Sequence, residues 1–336
     1  MAFDLPIGTF STTKRSFMRR IPALALPVAV SLVLMATLLA GCGGTSPGTD
    51  VKVTGAWGRN PVVSIPKAHP DNQLVVRTVV KGSGPQLAQN DVFVGNYVGY
   101  VWSGTKAALK VDTFTRSTPQ LFPPGGQLLK GLKKALVGQP AGSRVLAVVP
   151  PADGYGSQGN ASGGVKPTDT LVFVVDLIKT YAVTSSAAGQ QVSHGGGALP
   201  TVQSAQGAPP TVTIPQTAPP TTLTVHTLIQ GSGPKVGKGQ MVVVQYVGVN
   251  WTSKKIFDSS WRDGAPAEVI VGASPSQLIP GWDKGLVGQH IGSRVLLVIP
   301  PADGYGKTGS PQAGIKGTDT LAFVVDVLGA YGPETA

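Results

Sequence analysis

The chain has 336 residues, 41% of them hydrophobic, with 45 glycines and 29 prolines, which allows two packed domains of ordinary size plus tails. Its net charge is +11, but the lysines and arginines never form a run of five, so the clustered cations of a nucleic-acid groove are not expected and the charge reads as solubility with a weak pull toward acidic surfaces. A single cysteine, Cys42, excludes a disulfide within the chain.

In chain order, Met18-Arg19-Arg20 precedes an uncharged apolar run of 21 residues, IPALALPVAVSLVLMATLLAG, which ends at Cys42. A basic start, an apolar middle and a small-residue end are the parts of a secretory signal peptide. Leu39-Ala40-Gly41-Cys42 resembles a bacterial lipobox. The resemblance implies that the Cys42 thiol is acylated and becomes the new N-terminus, leaving an exported protein lipid-anchored to the outer face of the bacterial cell membrane. A plain membrane anchor with an incidental cysteine is the alternative, and translation from Met1 or from Met18 is left open. Residues 1–41 are thus expected as signal peptide and 42–60, which open on a Gly/Ser/Pro stretch, as a flexible tether.

Beyond the tether the chain repeats itself. VGQPAGSRVLAVVPPADGYG at 137–156 returns as VGQHIGSRVLLVIPPADGYG at 287–306, and TDTLVFVVDLI at 168–178 returns as TDTLAFVVDVL at 318–328. The unit is far longer than a solenoid repeat of 20–50 residues, so these are tandem domains, expected at 61–182 and 209–332. Between Lys179 and Lys235 no charged Asp, Glu, Lys or Arg occurs. Residues 183–208 are low-complexity Ser/Gly/Gln/Ala/Pro and are expected to be a flexible linker. Within each unit, Val-rich segments such as VVRTVV, DVFVGNYVGYV, SRVLAVVP and TLVFVVDLI predict strands punctuated by Gly and Pro. One short helix is expected per unit; in the second it begins near Pro280 and ends at Gly288, with Trp282 and Leu286 on one face. An antiparallel sheet curled over that helix gives an α+β fold in each half.

Conventional site chemistry is not visible. The four histidines have no paired cysteine or carboxylate at metal spacing, no nucleophilic triad stands out, and no phosphate loop fits a strand–loop–helix frame, so no cofactor or metal is expected. What remains in the second unit is an apolar and aromatic set: Tyr246 in VVVQYVG, Phe257-Asp258-Ser259-Ser260, Leu278-Ile279-Pro280-Gly281-Trp282, Tyr305 in GYG and Phe323 in TLAF. That ordered set resembles the FKBP-type peptidyl-prolyl cis-trans isomerases over about 210–331, and 61–182 is similar with gaps. The resemblance implies two α+β domains, each an antiparallel half-barrel wrapped over one short helix with a pocket between. It makes Trp282 the pocket floor, Tyr246, Phe257, Val269, Leu278, Ile279, Ile315 and Phe323 its walls and substrate contacts, Tyr305 a donor to a substrate carbonyl, and Asp258 a rim carboxylate oriented by Tyr246. It also implies proline-containing polypeptides as partners, with macrolide-type FKBP inhibitors as possible ligands.

The second unit departs from the family pattern at Ala267, where a pocket aromatic usually stands, and at Ser310, where many members have histidine. The first departs further: Leu132 replaces the floor tryptophan and Val111-Asp112 replaces Phe-Asp, while Tyr97, Tyr155 and Phe173 persist. Weak or absent isomerase activity is expected there. Each residue also has a plainer reading: Trp282, Tyr246 and Phe323 as core, Asp258 as a turn cap, Tyr305 as packing. The expected function is isomerisation of X–Pro bonds in exported proteins, mainly by the second unit; the alternative is a non-enzymatic chaperone or scaffold that binds proline-containing segments.

Overall fold

The computed structural model describes residues 50–122, 128–192, 197–273, 276 and 278–332. The expected signal peptide, the expected lipidation site Cys42 and the first residues of the expected tether lie outside the described residues. Among those described, no helix is long and apolar enough to cross a membrane.

The first domain comprises β1 (Lys52–Thr54), β2 (Val62–Ser64), β3 (Val75–Val80), β4 (Val92–Ser103), β5 (Lys106–Asp112), β6 (Gln120–Phe122), α1 (Lys130–Leu136), β7 (Arg144–Val149) and β8 (Thr170–Tyr181). After β9 (Gly189–Gln191), the second comprises β10 (Thr201–Gln203), β11 (Thr211–Thr213), β12 (Thr224–Gly231), β13 (Met241–Asn250), β14 (Ile256–Ser259), α2 (Ser260–Asp263), β15 (Ala267–Ile270), α3 (Pro280–Leu286), β16 (Arg294–Ile299) and β17 (Leu321–Tyr331). The first sheet runs β3-β7-β8-β4-β5 with β6 also on β4; the second runs β14-β13-β17-β16-β12-β9 with β15 also on β13. Every pairing is antiparallel.

The strand period explains the layering. On β16, Val295, Leu297 and Ile299 face the core under α3, whereas Leu296 and Val298 face the opposite side. The helix lies directly on this sheet because two glycines permit it: a β-carbon on Gly281 would fall 2.6 Å from Ile299 Cγ2, and one on Gly285 2.5 Å from Leu297 Cδ2. Trp282 and Leu286 then enter the core together.

Four expectations are corrected. The tether does not run free to residue 60: β1 pairs with β2, and Val51 is fully buried against the outer face of the first sheet. β10 pairs with β11 in the same way, so each unit starts about ten residues earlier than expected. The described parts of the segment 183–208, residues 183–192 and 197–208, are built into the second domain rather than left as a linker. β9 pairs with β12, Ala188 N–H donates to Gly292 O at 3.0 Å, and Gln245 Nε2 donates to Val183 O at 2.9 Å. Backbone hydrogen bonds supply much of this order, with Ala187 buried and Leu199 and Val202 packed on the sheet as its few apolar contacts, which is why its composition misled. The second domain also holds an extra helical turn, α2, because the Ser259 hydroxyl accepts from Arg262 N–H and Gly264 ends the turn in the left-handed region at φ 82°.

A buried ion pair secures these additions. Arg144 donates to both carboxylate oxygens of Asp176 at 2.6 and 2.8 Å and also to the carbonyls of Gly55 and Arg59, holding the turn between β1 and β2 onto the sheet. In the second domain Arg294 grips Asp326 at 2.5 and 2.7 Å, and Asp326 Oδ2 accepts Ala187 N–H at 3.1 Å, so the inter-domain segment takes the place of that turn. Between the domains, Tyr181 and Tyr331, 150 positions apart in the repeat, join hydroxyl to hydroxyl. They sit beside a buried cluster drawn from equivalent strands of both sheets, Val92 and Val94 meeting Met241 and Val243.

Candidate functional site

In the second domain α3, β13, β14 and β17 converge on one ring cluster. Tyr246 meets Trp282 edge-on with ring centres 5.2 Å apart, Trp282 meets Phe323 at 5.2 Å, and Phe257 meets Phe323 at 5.4 Å, all near perpendicular. Such edge-to-face contacts suit the ring quadrupoles and fix each ring against its neighbours. Gly248 makes the cluster possible: a β-carbon there would lie 2.7 Å from the Phe323 ring and 2.9 Å from Phe257. Val269, Leu278 and Ile279 pack on the same cluster half-buried, Ile315 is buried in it, and Tyr305 stands at its edge 39% exposed. The resemblance-derived residues are therefore brought together.

Polar groups sit where the rings end. Tyr246 Oη donates to Asp258 Oδ2 at 3.0 Å, and Ser259 N–H donates to Asp258 Oδ1 at 3.1 Å. Burial, and then the Asp258 charge, pushes the Tyr246 hydroxyl far above the ordinary tyrosine value; the same two causes raise Tyr305. Both hydroxyls are thus proton donors throughout the neutral range. Behind Tyr246 runs a relay that the sequence reading missed. Tyr246 N–H donates to Ser260 Oγ at 2.8 Å, Ser260 Oγ–H donates to Gln245 Oε1, and Gln245 Nε2 donates to Val183 O. Gln245 and Ser260 are buried; a polar residue in the otherwise apolar MVVVQYVG was the available signal.

The repeated PPADGYG holds its loop to the helix. Lys284 Nζ pairs with Asp303 Oδ1 at 2.6 Å, and in the first domain Lys134 and Lys130 reach Asp153 Oδ1 at 2.9 and 3.1 Å. These lysines hold the Asp153 carboxyl below its ordinary range. Tyr155 and Tyr305 follow these aspartates by two residues in the tied loops.

The first domain assembles the corresponding residues differently. Leu132, Tyr97 and Phe173 are all buried in one core cluster with Val111, and Tyr155 packs on it with its hydroxyl out of solvent. Phe122 occupies the ladder position of Val269, since it pairs with Phe93 as Val269 pairs with Val242. Its ring stacks on Phe93 at 4.3 Å and meets Tyr97 edge-on at 5.5 Å, with only 2% of the residue exposed. The equivalence of Asp112 with Asp258 is corrected. Asp112 faces Val98, the ladder position of Ser259 opposite Val247, while Asp258 faces Gly248. Its carboxylate accepts from Asn60 Nδ2 at 2.7 Å and from Phe114 N–H at 2.9 Å, turned toward β2. The bulge falls at the same ladder step in both domains, after Gly99 and after Gly248, so Lys110 holds the bulged place of Phe257, and Val111, opposite Gly99 as Asp258 is opposite Gly248, fills the space beside that glycine. Among the described residues no cluster of His, Cys, Asp and Glu could hold a metal ion.

The comparisons follow this division. A family model for FKBP-type peptidyl-prolyl cis-trans isomerases matches residues 84–178 and 233–328. An FK506-binding protein of Streptomyces anulatus is 39% identical over 106 residues, 32% of this chain and 84% of that protein. A probable FK506-binding protein of Corynebacterium glutamicum is 36% identical over 110 residues, 32% of this chain and 86% of that protein. The peptidyl-prolyl cis-trans isomerase FKBP9 of Rattus norvegicus is 28% identical over 261 residues, 77% of this chain but 39% of that longer protein. With one matched segment on each sheet-and-helix unit, the chain belongs to the FKBP-type peptidyl-prolyl cis-trans isomerase family and carries its domain twice.

Proposed function

We propose that the isomerase activity of this chain resides in its C-terminal domain, on X–Pro bonds of extended polypeptides, and that the N-terminal domain contributes little turnover. The observation that carries the proposal is the contrast between the two ring clusters: one edged by an exposed Tyr305 and a Tyr246–Asp258 pair, the other filled by Phe122.

Rotation about an X–Pro bond is opposed by a barrier of about 18–20 kcal/mol, because amide resonance gives the C–N bond double-bond character. The twisted amide loses that resonance and carries less separated charge, so an apolar, water-poor setting favours it over the planar form. In the proposed roles Trp282 lies under the proline ring, with Phe257, Val269, Leu278, Ile279, Ile315 and Phe323 as walls that exclude water. The Tyr305 hydroxyl donates to a carbonyl of the substrate, and Tyr246 holds Asp258 at the rim. Donors fixed in advance contribute to rate only insofar as they meet the twisted form better than the planar one. No bond is made or broken, so neither nucleophile nor cofactor is required. Each sheet reads as a half-barrel around its helix, the proline entering between them, where macrolide-type inhibitors of the family would compete.

The location belongs to the same proposal. The apolar run and Leu39-Ala40-Gly41-Cys42 support a lipidated, exported protein. Two acyl chains at about 0.8 kcal/mol per buried CH₂ suffice for lasting attachment. Clients would then be exported chains folding at the outer membrane face.

The test is turnover of a proline tetrapeptide by the full chain in detergent, beside the same peptide's binding affinity. Turnover that falls at least about tenfold in Phe257→Ala, with folding preserved, is expected. Peptide binding with no turnover in the parent protein would favour a binding-only chaperone and overturn the proposal.

A further inference from the structure

The strand β14 has a second face that the proposed isomerase site does not use. Phe257 and Asp258 serve the ring cluster, whereas Ile256 and Ser259 border a cavity of about 540 Å³ on the other side, walled by Val212, Val247, Val249, Trp261 and Pro209. Its size falls within the range of ligand pockets. Lys254 and Arg262 stand at its border and no acidic residue lines it. Ile256 is 53% exposed although it belongs to this apolar wall.

The first domain bridges the corresponding positions. There Asn60 and Asp112, at the positions of Pro209 and Ser259, hydrogen-bond at 2.7 Å. Pro209 has no side-chain donor and Ser259 no carboxylate, so the second domain lacks that latch. The indoles give a second sign within the groove itself. Trp102 and Trp251 donate their Nε1–H to the carbonyls of Ala68 and Thr217 at 3.0 and 3.2 Å, but Trp261 Nε1, shielded from solvent at the cavity wall, meets no acceptor. Moreover β14 is an edge strand, paired only with β13. Edge strands accept an added extended chain through their free backbone groups.

We propose that this groove is a second binding site, for an extended aliphatic peptide segment carrying carboxylates, so that a client is held on one face of β14 while its proline is worked on from the other. The identification of the client rests on the isomerase reading; the site itself does not. Charge complementarity selects the occupant: aliphatic side chains fill the apolar wall, carboxylates answer Lys254 and Arg262, and backbone carbonyls offer the acceptor that Trp261 lacks after a small turn of its ring. Holding the two parts of one chain at linked sites raises their effective concentration.

The experiment uses the full chain in detergent and a fluorescein-labelled, proline-free octapeptide alternating Glu with Val and Leu, read by anisotropy. A Lys-for-Glu octapeptide is the control. Binding of the acidic peptide is expected, weakened by salt and by at least about tenfold in Lys254→Glu/Arg262→Glu. The double variant Pro209→Asn/Ser259→Asp, which installs the latch of the first domain, is expected to do the same, and Lys254→Glu alone is expected to weaken binding while changing tetrapeptide turnover less than twofold. Equal binding of both peptides, unchanged affinity in both variants, binding only of anionic-lipid vesicles, or self-association in place of peptide binding would each overturn the proposal. Peptide binding with no tetrapeptide turnover in the parent would remove the isomerase reading and leave the groove standing.

Discussion

The two domains share a scaffold nearly position for position, yet one cluster of rings keeps an edge toward solvent and the other is closed. In the C-terminal domain Val269 is half-buried beside Trp282, and Tyr305 lies at the rim. In the N-terminal domain a phenylalanine stands in the valine's ladder position and a leucine in the tryptophan's, and the space is spent on packing. In the proposed reading, a wall residue exchanged for a larger one, and a floor residue for a smaller one, turns a site into a core. The scaffold survives because its supports lie elsewhere: the buried Arg–Asp pair, the lysine–aspartate tie of PPADGYG, and the serine that holds the strand end, Ser143 accepting Gly82 N–H and Ser293 accepting Gly231 N–H at 2.9 Å each.

Those shared supports give the largest expected effect. Arg294→Ala leaves Asp326 buried without its partner and should destabilise the C-terminal domain by about 3–5 kcal/mol. Arg144→Ala should cost the N-terminal domain a similar amount. Chemical denaturation followed beside tetrapeptide turnover separates them: only the first should remove activity at denaturant concentrations the parent tolerates. Equal loss of activity from both would mean that the two clusters act as one.

Smaller changes sharpen the contrast within the site. Tyr246→Phe keeps the ring and removes the hydroxyl that holds Asp258; kcat/KM should fall about three- to tenfold, equivalent to about 0.7–1.4 kcal/mol. Tyr97→Phe in the N-terminal domain should leave turnover within experimental error. Gln245→Asn shortens the relay to the residue type found at Asn96 in the first domain and withdraws it from Val183 O. A cost of about 1 kcal/mol in stability is expected from the lost hydrogen bond, read as a shift in denaturation midpoint.

Alkaline pH probes the hydroxyls that burial protects. Tyr181, Tyr246, Tyr305 and Tyr331 are all raised above the ordinary tyrosine value, chiefly by burial. The folded protein keeps these protons to higher pH than the unfolded chain, whose tyrosines ionise near pH 10. Their contribution is therefore complete below about pH 10 and is lost as pH rises through the folded values. Tyr181→Phe should flatten that loss in a titration of stability against pH, by less than the whole because the other raised tyrosines, Tyr100 and Tyr155 among them, remain.

Much of this was legible in the residues. Val-rich segments punctuated by Gly and Pro placed the long strands β4, β7, β8, β13, β16 and β17, since alternation and apolar runs are the marks of strands buried on one or both faces. Pro280 and Gly288 bracketed α3, and the ordered aromatics of the second unit do meet in space. What escaped were pairings with no local signature. Arg144 and Asp176 are 32 positions apart, and each reads by itself as a lone charge in an apolar strand. Residues 187–191 are held by backbone bonds to Gly292, Asp326 and the edge of β12, to which composition is blind. The role of Phe122 depends on register, as does the placement of Asp112 one residue beyond the position of Asp258, and a one-residue slip in register exchanges the two faces of a strand.

The most direct test of the division between the domains changes the equivalent helix position in each. Tetrapeptide kcat/KM is measured for the full-length protein with Trp282→Leu, which gives α3 the residue of α1, and separately with Leu132→Ala, with circular dichroism to verify that both remain folded. The account predicts a loss of about two orders of magnitude in the first and a change of less than twofold in the second; retained turnover in Trp282→Leu, or its loss in a folded Leu132→Ala protein, would contradict it.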